Sequence, residues 1–269
     1  MLKKAPTVAA MSAAFVLAAS LAAAQTKLNR TAVGTAEPHS VLWVGNSFFY
    51  YNNSMHSHVA ALVRAANPAS KFGGVSITIS GSGIDWHDMQ SYFRPGGIGK
   101  YSFVGDNEIE FRPQGPQFDT VIVMDCSQCP IHPKLQSVFH EFAKKQSQII
   151  RSNGAQPVFF MSWAYKDKPE MTAQLAEQYT IAANDNDALV IPAGLAFAAA
   201  RAKRPELELY QPDKRHPTLA GTYLAACVVY ATLFGKSPVG LSYTAGLVPD
   251  TAAFLQTVAW EAVQEYLKK

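Results

Sequence analysis

Five short apolar runs recur along this chain of 269 residues. They lie at 41–45, 75–79, 120–124, 157–161 and 188–191. Most are followed by turn-forming residues and then by a longer stretch with helical patterning. Four of the runs are nearly continuous in apolar character, which suits strands covered on both faces, as in a parallel sheet. The run at 75–79 alternates apolar with small polar residues, the pattern of a strand nearer an edge. Strands that alternate with helices predict a parallel sheet with crossover helices on its faces. The expectation is therefore a single α/β domain, a three-layer α/β/α sandwich around about five parallel strands. Helices are expected over about 54–66, 134–153, 169–184, 193–203, 217–234 and 250–266, the first capped by Ser54. A hairpin with the three-residue loop Gly105-Asp106-Asn107 is expected at the edge of the main sheet. No internal repeat and no interdomain linker is visible.

The start of the chain follows different rules. Lys3 and Lys4 precede a small apolar run at 9–21, and Ala22-Ala23-Ala24 offers a small-x-small cleavage site before Gln25. That is the pattern of a secretory signal peptide over residues 1–24; the run is short and Ala-rich for a membrane anchor. Residues 25–39 read as a polar linker and 40–269 as the domain. The expectation is an exported chain, periplasmic or secreted, with no membrane insertion. Without residues 1–24, which carry two lysines and no acid, the 23 basic and 20 acidic residues become 21 and 20. A balance so near neutral is no footprint for nucleic acid. The three cysteines are Cys126, Cys129 and Cys227. The spacing Cys126-Ser127-Gln128-Cys129 lacks the further ligands of a zinc site, and Pro130 and Pro133 delay the helix start that a redox motif uses. A local structural disulfide or two free thiols is expected.

The first apolar run passes straight into Gly45-Asn46-Ser47. In open α/β sheets ligands bind beyond the carboxyl ends of the strands, so Ser47 is a candidate nucleophile. A serine hydroxyl needs a base within hydrogen-bond reach and donors for the oxyanion. Late in the chain, Asp213-Lys214-Arg215-His216-Pro217 supplies a histidine for the base and an aspartate three residues earlier to orient its ring. Pro217 is expected to start the next helix. Phe48 to Tyr51 follow the serine, either as an aromatic wall or as packing for the first helix. His56 and His58, two apart, do not share a helix face and read as partly exposed. His87 and Asp88 are weaker candidates for the cleft.

Taken together, Gly45-Asn46-Ser47, the glycine-bearing turn after the second strand (Gly81-Ser82-Gly83) and Asp213-x-x-His216 resemble blocks I, II and V of the SGNH (GDSL-like) hydrolases. The stretch from Leu209 through Asp213, His216-Pro217-Thr218 and Ala220-Gly221-Thr222 to Cys227 is similar to an exported bacterial subfamily, as are Ser162-Trp163-Ala164-Tyr165 and Ile191-Pro192-Ala193-Gly194. The resemblance spans roughly residues 40–240. It implies a flavodoxin-like fold and hydrolysis of small acyl esters, commonly acetyl or acyl groups on carbohydrates or lipids, with no cofactor and no metal. It also implies that Ser47 is nucleophile and first oxyanion donor through its backbone N–H, with Gly81 (or Gly83) as second donor. The third donor in such proteins is an Asn or Gln side chain after the third strand. Here that strand runs into Met124-Asp125-Cys126-Ser127-Gln128; Met124 and Cys126 lack an amide, and Gln128 is the displaced candidate. The alternative reading is a carbohydrate-binding or scaffold protein with weakened catalysis.

Overall fold

The structure is a computed structural model describing residues 26–32, 34, 37–94, 98, 101–111 and 117–268, with the backbone alone at 101–104 and 111. The expected signal segment lies outside the described residues. In chain order the elements are β1 (Ser40–Gly45), α1 (Ser47–Tyr50), α2 (Met55–Ala66), β2 (Gly73–Thr78), α3 (Met89–Tyr92), β3 (Tyr101–Gly105), β4 (Glu108–Phe111), β5 (Thr120–Val123), α4 (Gln136–Ser152), β6 (Gln156–Phe160), α5 (Met171–Asp185), β7 (Leu189–Ile191), α6 (Ala193–Lys203), α7 (Leu219–Phe234) and α8 (Pro249–Lys268). Short 3-10 turns cover Ile84–Trp86 and Cys129–Ile131.

The main sheet has the order β2-β1-β5-β6-β7, and every pairing in it is parallel. The chain steps outward from β1 to β2 and then, after returning to β5, outward in the opposite direction. Right-handed crossovers in opposite directions put α2 on one face and α4 and α5 on the other. The strand order therefore reverses between β1 and β5, and the crevice beyond their carboxyl ends is where such sheets bind ligands. The hairpin is a separate two-stranded antiparallel sheet rather than an edge of the main one, and Asp106-Asn107 forms its turn, with Asn107 at φ 63°. Residues 105–110 are all exposed, so the alternation at 108–111 marks a strand without saying which sheet it joins.

Val41, Leu42, Trp43 and Val44 have no exposed surface, as continuous apolar runs predicted. Each such Val or Leu contributes about 1.5–3 kcal/mol by leaving water. α7 is buried around nearly its whole circumference, from Ala220 to Leu233, because α2, α6 and α8 pack against it and β7 lies beneath it. A helix apolar on all sides is stable only in such an enclosure. It begins at Leu219, two residues later than Pro217 suggested, because the Thr218 side chain caps it by accepting the Gly221 N–H at 3.3 Å. A Cβ on Gly221 would stand 2.4 Å from the Leu209 carbonyl, so the start of α7 presses directly on the loop before it. The expected Ser54 cap is absent: Ser54 sits at φ 66° and its hydroxyl pairs with His56 Nδ1 at 2.7 Å.

Both ends of the described chain rest on α5. Thr26 bonds to Glu177 through its N–H, at 3.1 Å, and its hydroxyl, while Leu28 is buried and Asn29 and Arg30 pair with Asn184 and Asp187. At the other end, Tyr266 OH meets Thr180 Oγ1 at 2.6 Å. No helix among the described residues is long and apolar enough to cross a membrane.

Candidate active site

Buried β1 delivers its last residues to the switch point. There Asn46 ties three strand ends together. Its Oδ1 accepts the Phe48 N–H at 3.2 Å, and its Nδ2 donates to the carbonyls of Ser82 (3.0 Å) and Asp125 (3.2 Å), just past β2 and β5. The asparagine caps α1 and so fixes Ser47 as its first residue.

The opposing loop comes from the chain between α6 and α7. Trp163 Nε1 donates to the Arg215 carbonyl at 2.9 Å, Lys166 N–H to the Lys214 carbonyl at 2.9 Å, and Gln211 N–H to the His216 carbonyl at 2.7 Å. Lys214 turns through φ 64°. Asp213 Oδ1 accepts the N–H groups of Arg215 (2.9 Å) and His216 (3.0 Å), and Oδ2 accepts from His216 Nδ1. With that proton on Nδ1, Nε2 is left as the acceptor, and it lies 2.8 Å from Ser47 Oγ. Burial works to raise the Asp213 carboxyl, but hydrogen bonds from the His216 ring and from the two N–H groups outweigh it and hold the group below its ordinary value. An anionic Asp213, an oriented imidazole and a serine hydroxyl thus stand in line, in a geometry able to move the serine proton.

Two features that sequence reasoning did not assign hold this arrangement. Tyr51 lies flat on the His216 ring (4.4 Å between centroids, 12° between planes), while Phe48 meets it edge-on at 5.6 Å. Phe48 in turn stacks on Trp163 at 4.6 Å. Asn52 Nδ2 reaches across to the Pro217 carbonyl (3.0 Å) and Thr222 Oγ1 (2.8 Å). It thereby links the turn after the serine to the loop that carries the histidine. Asn52, Asn53 and Ser54 all take φ between 52° and 66°, a region that Asn tolerates better than most residues. The pair Asn52-Asn53 was the signal available in sequence.

The remaining expectations divide. Phe48 and Phe49 are buried packing, whereas Tyr50 is exposed and Tyr51 faces His216. His58 is buried rather than partly exposed, held between Tyr243 OH (2.7 Å) and the Asn52 carbonyl (2.6 Å). His87 is buried too, between Ser82 Oγ and Tyr92 OH at 3.0 Å each, and burial lowers its pKa. Asp88 caps α3. Neither of that last pair is brought to Ser47. Gly81, at φ 71°, lines a surface hollow with Gly83, Trp86 and Asp125. Gln128 lines a different recess, with Ile131, His132, Lys168 and Gln174. Among the described residues, the group of His, Cys, Asp or Glu side chains close enough to share a cation is Asp125, Cys126 and Cys129. Its two sulfurs are joined in a disulfide, which removes both thiolates. Cys227 is free and buried.

Comparison with known proteins adds the fold. No family model matches the chain, and no curated protein does. Solved structures do. A DUF4886 family protein from Bacteroides uniformis superposes with a TM-score of 0.58 at 18% identity, over 84% of this chain and 94% of that one. A candidate SGNH hydrolase from Slackia heliotrinireducens gives 0.54 at 24% identity, over 72% and 98%. A catalytic mutant of Axe2, an acetylxylan esterase from Geobacillus stearothermophilus, gives 0.54 at 13% identity, over 75% and 95%. With its parallel sheet in the order β2-β1-β5-β6-β7 and helices on both faces, the chain has the α/β fold of the SGNH hydrolases.

Proposed function

We propose that the chain is a serine ester hydrolase acting on small acyl esters, with O-acetyl groups on carbohydrate as the favoured substrate class. The observation that carries this reading is the contact of 2.8 Å between Ser47 Oγ and His216 Nε2, with Asp213 on the other ring nitrogen. Ser47 attacks the ester carbonyl while His216 takes its proton. The imidazolium, stabilised by Asp213, returns the proton to the leaving alcohol. Water then cleaves the acyl-enzyme by the same route in reverse. The backbone N–H groups of Ser47 and Gly81 are the proposed oxyanion donors, and Gln128 is the candidate for a side-chain donor. Exposed Tyr50 and the Tyr51 ring beside the histidine suit contact with a sugar face, and the acetylxylan esterase Axe2 has a similar fold. Export through cleavage after residue 24 is part of the proposal, tested by sequencing the amino terminus of the mature protein.

The test is hydrolysis of p-nitrophenyl acetate and of acetylated oligosaccharides by wild type and Ser47→Ala. That change deletes one oxygen and leaves the Asn46 cap in place. The expected result is loss of turnover to background with an unchanged circular dichroism spectrum. Retention of more than a small fraction of the wild-type rate would overturn the assignment of Ser47.

A further inference from the structure

We propose that Cys126–Cys129 is a redox-active disulfide that a dithiol reduces, with Asp125 as the acid that protonates the departing sulfur. Both cysteines are only partly buried, and they line a surface hollow of about 250 Å³ with Gly81, Gly83 and Trp86. A small thiol can reach them there. Cys227, wholly buried in α7, has its thiol pKa pushed up by burial and is shielded from such chemistry.

Asp125 is what separates this pair from a merely structural clasp. The residue is 2% exposed. Its Oδ1 accepts N–H groups from Ile84 (2.8 Å) and Cys126 (2.7 Å), and its Oδ2 is buried with no partner. A carboxylate oxygen of Asp125 and the two sulfurs all lie within 4.8 Å of one another. An unpaired buried carboxyl oxygen is costly, and a structural disulfide has no need of one. Burial, reinforced by the nearby Asp85 carboxylate and opposed by the two N–H bonds, pushes the Asp125 carboxyl up to about 7. The Tyr179 hydroxyl, 3.4 Å from the Asp125 N–H, also faces this group, and burial keeps it protonated. Asp125 is therefore able to hold a proton beside the sulfurs and to release it.

The step balances as follows. A thiolate of the reductant attacks Cys129 Sγ, forming a mixed disulfide as the Cys126–Cys129 bond breaks. The electron pair stays on Cys126 Sγ, which already accepts the Cys129 N–H at 3.0 Å, and the proton comes from Asp125. The second thiol of the reductant then attacks the mixed disulfide. Cys129 leaves as a thiol, the reductant is oxidised to its own disulfide, and Asp125 is reprotonated from the thiols consumed. Two electrons pass from the dithiol to the protein.

The test uses the full chain, without denaturant, in excess dithiothreitol, with thiols counted by alkylation and mass spectrometry. The expected result is exposure of two thiols while Cys227 stays unlabelled. The rate per dithiothreitol thiolate should fall as pH rises through about 7. At pH below that value, Asp125→Asn should slow reduction by on the order of a hundredfold, the scale of a positioned general acid. A disulfide that reacts only after unfolding, or a wild-type rate per thiolate that is flat with pH, would overturn the proposal. So would a folded Asn variant that is reduced within a few-fold of the wild-type rate. The wild-type profile decides the matter if the variant does not fold. Because the readout is thiol content, the outcome is independent of ester hydrolysis at Ser47.

Discussion

Asp125→Asn tests the electrostatics of the switch point through stability. The carboxyl has its pKa raised from an ordinary 3.8 to about 7, chiefly by burial. Between those values the folded chain holds a proton that the unfolded chain has released. Stability from this group is therefore greatest at acid pH, falls as pH rises from about 4, and levels off above about 7. The slope is about 1.4 kcal/mol per pH unit, so the whole window is worth roughly 4 kcal/mol. Asn carries no such dependence. Its side-chain oxygen retains the N–H bonds from Ile84 and Cys126. Its amide nitrogen, however, replaces an oxygen that has no partner, and leaving those donors unpaired costs about 1–3 kcal/mol at every pH. The variant should thus be less stable than wild type near pH 4 and more stable by about 1–3 kcal/mol near pH 8, with the curves crossing near pH 5–6. Urea unfolding of the oxidised proteins at several pH values measures this. If the two stabilities differ by a constant from pH 4 to 8, Asp125 ionises normally and the reasoning fails. Asp85→Asn removes the neighbouring charge that helps raise the Asp125 pKa, and should narrow the window.

Three further outcomes are expected at the candidate active site. Ser47→Ala combined with His216→Ala should cost little more turnover than either change alone, because the two act as a unit; additive losses measured as kcat would separate them. Asn52→Ala removes both bonds to the histidine loop and should lower kcat more than it alters KM; an unchanged kcat would show that Tyr51 and Asp213 suffice to hold His216. Gln128→Ala should lower kcat by on the order of 10²–10³ if that amide serves the oxyanion; a change of only a few-fold would leave backbone donors alone in that role.

The main sheet was legible because strands covered on both faces cannot carry polar residues at regular intervals. Four of its five runs show this, and their bounds moved by no more than a residue or two. The hairpin was legible as a hairpin, but alternation at 108–111 is silent about which sheet it joins. Ser47, Asp213 and His216 could be named from residue type and order in the chain, and the fold brings them into hydrogen-bond contact. What sequence could not supply was partnership at long range. His58 read as partly exposed, but Tyr243, 185 residues away, closes over it. Asp125 was only the residue between two that lack an amide; its orphan oxygen is a product of tertiary burial. Tyr51 read either as a wall for ligand or as packing for the first helix, and its flat contact with His216 depends on a loop 165 residues later.

The two ends of the described chain meet the same helix barely one turn apart, Thr26 at Glu177 and Tyr266 at Thr180. The serine and histidine, by contrast, are 169 residues apart along the chain, so the candidate site closes one of the longer loops among the described residues. Covalent order is separable from spatial order here. A chain joined by a short linker across α5 and opened at the Asp106-Asn107 turn would keep every strand pairing of the main sheet. It would also place His216 before Ser47, with less than half the present stretch of polypeptide between them. The entropy of bringing them together falls with that distance, and proteins with shorter-range contacts fold faster. The connectivity of this fold is thus a choice among equivalent threadings of one architecture, and the native threading brings Ser47 and His216 together only across most of the chain.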